Sequence, residues 1–350
     1  MIREDPRKSV AQKFGIKAIA ASFILRGTHE HEEEITAMKK GEILFDHNHD
    51  GVDRRGFLKC MAWAGTGALC VMRGGVLSSY ALGEAKGKKV DADFSFVQIS
   101  DSHMGFNKPA NPDVKATLQV ALDRINGLEM KPEFLIHTGD ITHLARPEQF
   151  DTVSQMLGGK DVFYVPGEHD MVDDDGKGYL DRFGKNAQGA DWYSFDKHGV
   201  HFIGLVNVVD LKAGGLGTLG LEQLEWLEKD VRHLSHSTPI VVFAHIPLWT
   251  VYEQWGWGTQ DSAQALSYLK KFGSVTVLNG HIHQTMQKVE GNVTFHTACS
   301  TAFPQPQPGA AQGPGPMKVP PEQLRTLLGI TDVNYVRHKH ALAVIDSTLA

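Results

Sequence analysis

Asp, His and Glu recur through the middle of the chain in five short clusters, each small enough to occupy one turn. They are Asp101-Ser102-His103, Gly139-Asp140, Gly167-Glu168-His169-Asp170, His245, and Gly280-His281-Ile282-His283. Carboxylates mixed with imidazoles suit Mn, Fe or Zn, whereas calcium asks for an all-oxygen set. Singly, each cluster is a weak signal. A lone Asp-x-His or His-x-His is more often a polar turn or a surface histidine, and Gly-Asp is more often a turn. Five in succession point further, because two ions about 3.5–4 Å apart can share one carboxylate and activate a water between them.

Each cluster directly follows an apolar, strand-like run. Phe94–Ile99 precedes Asp101, Phe134-Leu135-Ile136 precedes Asp140, and Val162–Val165 precedes Glu168. Ile240–Phe243 precedes His245, and Val275–Leu278 precedes His281. Between these runs, Pro112–Leu128 has Val114, Leu118, Ala121, Leu122 and Ile125 at helical spacing, and Pro147–Leu157 and Leu221–Leu234 also read as helices. Trp192–Leu205 reads as a hairpin around Asp196-Lys197-His198-Gly199. Strands alternating with helices, plus one hairpin, predict an α/β fold with a mixed sheet covered by helices on both sides. Such sheets place ligands beyond the carboxyl ends of their strands, so the five clusters should share one rim. Gly139, Gly167 and Gly280 are expected to let the backbone turn sharply beside the delivered side chains.

The order and spacing of these motifs resemble the calcineurin-like metallophosphoesterases, whose pattern runs Asp-x-His, Gly-Asp, Gly-Asn-His-Asp/Glu, a later His, and Gly-His-x-His. The resemblance spans about Phe94 to His296 and includes Trp192–Leu205 and the Gln223-Leu224-Glu225-Trp226-Leu227 helix. It implies an αββα sandwich of mixed β-sheets flanked by helices, two metal ions per chain (Fe, Mn or Zn) and a small phosphate-ester substrate. It also implies that Asp101, His103 and His283 hold one metal, that Glu168, His245 and His281 hold the other, and that Asp140 bridges them. His169 would stand beside the substrate and Asp170 would orient it. The layout looks most like the cyclic-nucleotide phosphodiesterase branch. His103 in place of Gly, and His143 in place of Tyr, separate it from the purple acid phosphatases.

In such a centre a metal-bridging hydroxide attacks phosphorus in line with the leaving alkoxide, and His169 donates a proton to that group. One position departs from the family, which usually has Asn where this chain has Glu168. Three carboxylates then oppose the four positive charges of two divalent ions, so metal should bind more tightly, iron(III) gains favour, and the pull on an anionic substrate weakens. Phosphodiesters are therefore expected to be favoured. Two other readings remain: a phosphomonoesterase of the same fold, or an exported metal-binding protein without turnover.

Composition excludes several other classes. The 350 residues include 35 Lys+Arg and 41 Asp+Glu, a formal charge of −6, with 41% hydrophobic and 22% charged residues. That is ordinary globular usage, which rules out wholesale disorder, collagen and coiled coil. The acidic balance argues against coating nucleic acid. No apolar run reaches the roughly 18 residues of a membrane-spanning helix. Residues 1–83 read as a leader: Asp53-Arg54-Arg55-Gly56-Phe57-Leu58-Lys59, a short apolar stretch Cys60–Met72, and small residues at Ala81-Leu82-Gly83. This resembles the twin-arginine signal, implying the twin-arginine export machinery as a partner and a periplasmic or extracellular location for a domain spanning 84–350. Met1 to about Lys40 reads as either a start-site artefact or a cytoplasmic tail. Loss of Cys60 and Cys70 with the leader would leave Cys299 alone, which fits folding before export. The Pro- and Gly-rich stretch 304–321 is expected to form a loop or lid near the site, followed by a returning strand over Tyr335–Asp346, where His338 and His340 lie on a solvated edge. Trp249, Tyr252, Trp255 and Trp257 either pack a loop or wall a substrate base or sugar.

Overall fold

The computed structural model of the chain describes residues 68–73, 76–81 and 93–350, apart from 174–175, 210, 212–213 and 337–340. Strands β1 (Ala68–Arg73) and β2 (Val76–Ala81) pair as an antiparallel ribbon. The rest of the expected leader, including Arg54-Arg55, lies outside the described residues, as do His338 and His340.

The elements that follow are β3 (Phe94–Ile99), α1 (Val114–Gly127), β4 (Phe134–His137), α2 (Pro147–Leu157), β5 (Val162–Tyr164) and α3 (Lys177–Phe183). Next come β6 (Tyr193–Lys197), β7 (Val200–Gly204), α4 (Leu221–Val231), β8 (Ile240–Ala244), α5 (Ser262–Leu269) and β9 (Val275–Asn279). The chain closes with β10 (Met286–Glu290), β11 (Val293–Thr297), α6 (Pro321–Leu327), β12 (Gly329–Val336) and β13 (Ala341–Thr348). They form a five-stranded sheet, β13-β12-β3-β4-β5, and a six-stranded sheet, β10-β11-β9-β8-β7-β6. β3, β4 and β5 run parallel in the first. β7, β8, β9 and β11 run parallel in the second, with β6 and β10 antiparallel at its edges.

Apolar side chains on both faces of the central strands decide the layering. In β3, Phe94 and Phe96 point into a cluster with Phe202, Val241, Phe243 and Leu278 of the other sheet. Val97 and Ile99 point the opposite way, onto Leu118, Leu122 and Ile125 of α1 and Phe150 and Val153 of α2. The second sheet repeats this. Phe243 faces the first sheet, while Val242 and Ala244 meet Leu224 and Leu227 of α4 and Leu266 and Leu269 of α5. A strand with helix on one side and sheet on the other must be apolar throughout, which is why these runs do not alternate. The sheets are joined by aromatic packing, with the Phe96 ring stacked on Phe134 at 5.0 Å and edge-on to Phe202 at 5.4 Å. The result is the expected αββα sandwich.

Two expectations need correction. Tyr335–Asp346 is not one returning strand but parts of an antiparallel pair, β12 and β13. The β10–β11 hairpin was not read at all, although its Gly291-Asn292 connection is a recognised turn signal. Among the described residues no helix is long and apolar enough to cross a membrane.

Candidate metal centre

The turns after β3, β4, β5, β8 and β9 meet at one rim. Ligand atoms of Asp101, His103, Asp140 and His283 lie within 4.8 Å of one another, and so do those of Glu168, His245 and His281. Asp140 stands between the two groups, its Oδ2 at 3.4 Å from His103 Nε2 and 3.5 Å from His245 Nε2. Asp140, Glu168 and His169 form a further cluster of the same kind. The group around Asp101 is buried, whereas Glu168, His169 and His281 are partly open.

The turns are cross-linked through their backbones. Asp101 N–H donates to Gly139 O (3.0 Å), His103 N–H to Asp140 O (2.8 Å) and Gly280 N–H to His245 O (2.9 Å). The carboxylates do the same work. Asp101 Oδ1 accepts from His281 N–H (3.0 Å), and Asp140 Oδ1 accepts from His169 N–H (3.0 Å). Asp170 accepts from the backbone of Ile141 (3.0 Å), Thr142 (2.8 Å) and Gly167 (2.9 Å), and from Thr142 Oγ1 (2.9 Å). Asp170 therefore holds two turns together and does not hold the His169 ring. That ring's Nδ1–H donates instead to the His143 carbonyl at 2.7 Å. The glycine expectation holds only in part. Gly139 does have a positive φ, +90°. At Gly167 and Gly280 the reason is close approach: an added Cβ would lie 2.1 Å from Asp140 Oδ1 and 2.1 Å from Ser100 Oγ, respectively.

Metals fit this donor set, and the imidazole hydrogen bonds show why. His245 Nδ1 donates to Thr138 O (2.7 Å) and His283 Nδ1 to Phe303 O (2.6 Å), leaving each Nε2 as the inward atom. That is the outer support a metal-binding histidine needs, since it fixes ring orientation and tautomer. The inward nitrogens then crowd one another, with His103 Nε2 at 3.1 Å from His283 Nε2 and His245 Nε2 at 3.2 Å from His281 Nδ1. Two lone pairs that close require a proton or a cation between them. Glu168 Oε2 is buried 2.8 Å from His245 Nε2 yet has no partner with hydrogen-bond geometry.

The electrostatics of the bare chain follow. Burial would push Glu168 up, but the His281 and His245 imidazoles hold it well below the usual carboxylate range. Burial opposes protonation of His245, yet Asp140 and Glu168 raise it well above the ordinary histidine value. For His103, burial wins and lowers it. His169 is raised because Asp140 and Glu168 outweigh its burial. Asp170 is pushed up to about 6 by burial and by Asp140, against its backbone donors.

A cavity of about 640 Å³ opens beside Glu168, His169 and His281. Trp255 and Trp257 line it, whereas Trp249 packs on Phe295 at 5.1 Å in the second-sheet core. Gln305, Pro314 and Gly315 bring the 304–321 loop to its edge, with Gln305 Nε2 donating to His281 O at 3.0 Å. Sequence reasoning missed Phe303, whose ring lies 4.7 Å from His103 and 4.8 Å from His283. It also missed the carbonyls of Thr138, His143 and Phe303, which carry no side-chain signal.

A family model described as calcineurin-like phosphoesterase matches residues 94–285, more than half of the chain. The chain belongs to the calcineurin-like phosphoesterase family. A probable glycerophosphodiester phosphodiesterase from Arcobacter nitrofigilis is 27% identical over 223 residues, covering 58% of this chain and 77% of that one. A 3',5'-cyclic-nucleotide phosphodiesterase from Nostoc sp. is 26% identical over 219 residues, covering 60% and 79%. A dimetal phosphatase from Danio rerio has the same fold, with a TM-score of 0.54 at 16% identity over 74% of this chain and 99% of that one. As a calcineurin-like phosphoesterase, the chain is a metal-dependent hydrolase of phosphoester bonds, and its cluster of carboxylates and imidazoles is suited to a metal centre.

Proposed function

We propose that this calcineurin-like phosphoesterase is a dinuclear enzyme that prefers phosphodiesters to phosphomonoesters. The observation that carries the reading is Glu168: a third carboxylate in the donor set, on the side that opens into the cavity. Asp101, His103 and His283 would hold one ion, Glu168, His245 and His281 the other, with Asp140 between them. Fe, Mn and Zn all suit these donors, and bound ions would supply an activated water and neutralise phosphoryl oxygens. Glu168 removes one unit of positive charge that Asn would leave in place. For unit charges 4 Å apart that is on the order of 4 kcal/mol at an effective dielectric near 20. A monoester dianion loses more by this than a diester monoanion does. An iron(III) in the pair would restore that charge, and is the alternative to a diester preference. Both relatives named above as phosphodiesterases support the diester reading.

His169 supplies the proton. Its Nδ1–H is tied to the His143 carbonyl, leaving Nε2 as the ring nitrogen that can donate to the departing alkoxide. Asp170 contributes indirectly, by clamping the turns that carry Asp140 and Glu168. The Arg54-Arg55 leader supports export of the folded enzyme to the periplasm or beyond, so replacing both arginines by lysine should retain the protein in the cytoplasm.

The test is hydrolysis of bis-p-nitrophenyl phosphate against p-nitrophenyl phosphate with Mn, Fe or Zn, the bound metal being measured on the same sample. Diester turnover should be faster, and Glu168→Asn should shift the ratio towards the monoester while loosening the metals. Faster monoester turnover with two divalent ions bound would refute the preference. No turnover of either ester with ions bound would favour a metal-binding protein without catalysis.

A further inference from the structure

The cavity beside the metal centre carries an apolar wall next to its donor groups. Away from Glu168, His169 and His281, its wall includes the apolar side chains of Met171, Val172, Val208, Val209, Leu211 and Trp255, with Gln305 and several glycines beside them. Val172 and Val209 are 60% and 44% exposed, large apolar surfaces left open beside the donor groups. Met171 and Leu211 belong to a small apolar cluster with Val206, Val208 and Ile246, separate from the three main cores. Among the described lining residues there is no Lys or Arg, and the Glu168 carboxylate faces the cavity. The tryptophans do not offer a stacking face either. Trp257 is fully buried and Trp255 is 6% exposed, and they meet edge-to-face at 5.0 Å and 84°.

We propose that this cavity takes the non-leaving ester group of the phosphodiester, and that this group is an uncharged apolar alcohol, alkyl or aryl. The inference rests on the phosphodiesterase reading above and gives it a substrate class. Hydrolysis joins the water oxygen to phosphorus and breaks the bond to the leaving oxygen, which takes a proton. The group in the cavity stays bonded to phosphorus throughout. Its contribution is binding: water leaves the valine, methionine and leucine surfaces, and the reacting phosphate is held beside Glu168 and His281.

The experiment uses the full metal-loaded chain and a series of p-nitrophenyl phosphodiesters: methyl, butyl, hexyl, phenyl, and the 5'-ester of thymidine. All share one leaving group and one negative charge, so only the cavity group changes. We expect kcat/KM to rise roughly two- to fourfold per added methylene until the cavity is filled, with the thymidine ester below the butyl ester. Val172→Asn and Val209→Asn, changes outside the donor groups, should flatten the series, cutting kcat/KM more for the hexyl ester than for the methyl ester. A flat series, a thymidine ester that outperforms the hexyl ester, or a slope unchanged in both valine variants would overturn the inference while leaving the phosphodiesterase reading intact. Loss of turnover on every ester with ions bound would overturn both.

Discussion

Gly167→Ala isolates one contact on which the centre depends. The residue has φ −98° and ψ 176°, an extended conformation that alanine adopts without strain, so the substitution tests space alone. The added Cβ would lie 2.1 Å from Asp140 Oδ1, 2.3 Å from Asp140 N and 2.8 Å from Asp140 Cγ. Ordinary contact begins near 3.4 Å, so the Asp140 turn or the Gly167 turn must move by more than about 1 Å. Asp140 stands between both donor groups, and misplacement on this scale costs on the order of a hundredfold in rate, or about 2.7 kcal/mol. Assay of kcat on bis-p-nitrophenyl phosphate, with metal content and melting temperature on the same preparations, should show this loss. Gly127→Ala is the control. It ends α1 with open space around its Cβ, and should leave the rate unchanged and add about 0.5–1 kcal/mol of stability. A Gly167→Ala enzyme within threefold of the unmodified rate, with full metal content, would refute the reasoning.

Three further outcomes are expected. His169→Ala should keep its metals but lose about 10²–10⁴-fold in rate, most for esters with poor leaving groups, as read from metal analysis alongside kinetics. Asp170→Asn presents an amide to backbone N–H groups that now meet a carboxylate, and should cost about 2–4 kcal/mol by denaturant titration while also loosening metal. His201, buried between Asp230 (2.8 Å) and Asp196 (2.9 Å), is desolvated by burial yet raised above 6.5 by these two carboxylates. A raised histidine stabilises fully below 6.5 and loses that contribution as pH climbs through its folded value. Melting temperatures of His201→Gln and the unmodified protein should therefore converge as pH rises above 6.5, by about 2–4 °C per kcal/mol. A constant offset between the two would refute the assignment.

Much of this was legible because strand ends are easy to read. Apolar runs such as Ile240–Ala244 and Val275–Asn279 are buried on both faces and stop abruptly at polar residues, so both the strand and its carboxyl end show in the sequence. The C-terminal hairpin was not legible for the converse reason. β12 carries Asp332 and Asn334, residues depleted in strands, and residues 337–340 contain no Gly, Pro, Asn or Asp to mark a connection. Asp170 was misread because Asp next to His suggests a carboxylate–imidazole pair. Besides the nearby Gly167 amide, its partners are two amides and a hydroxyl of a turn 28 and 29 residues away, which no local pattern encodes.

The donors themselves stand against local preference. Asp101, His103, Asp140, His281 and His283 have φ of 53°, 40°, 50°, 70° and 55°, the left-handed region where most side chains are unfavourable by roughly 1–2 kcal/mol each. Asp and His are among the few residues besides glycine and asparagine that enter this region with any frequency, and both also bind metal. Such a conformation persists only where surrounding structure over-determines it. Here that structure is the other turns: Gly139 O receives the Asp101 amide, Asp140 O the His103 amide, and the Asp101 carboxylate the His281 amide. No motif can therefore adopt its metal-binding shape alone. The first two contacts join neighbouring turns of the five-stranded sheet, and the third forms only when the six-stranded sheet has docked, which ties the geometry of the centre to the αββα sandwich rather than to any one sequence cluster.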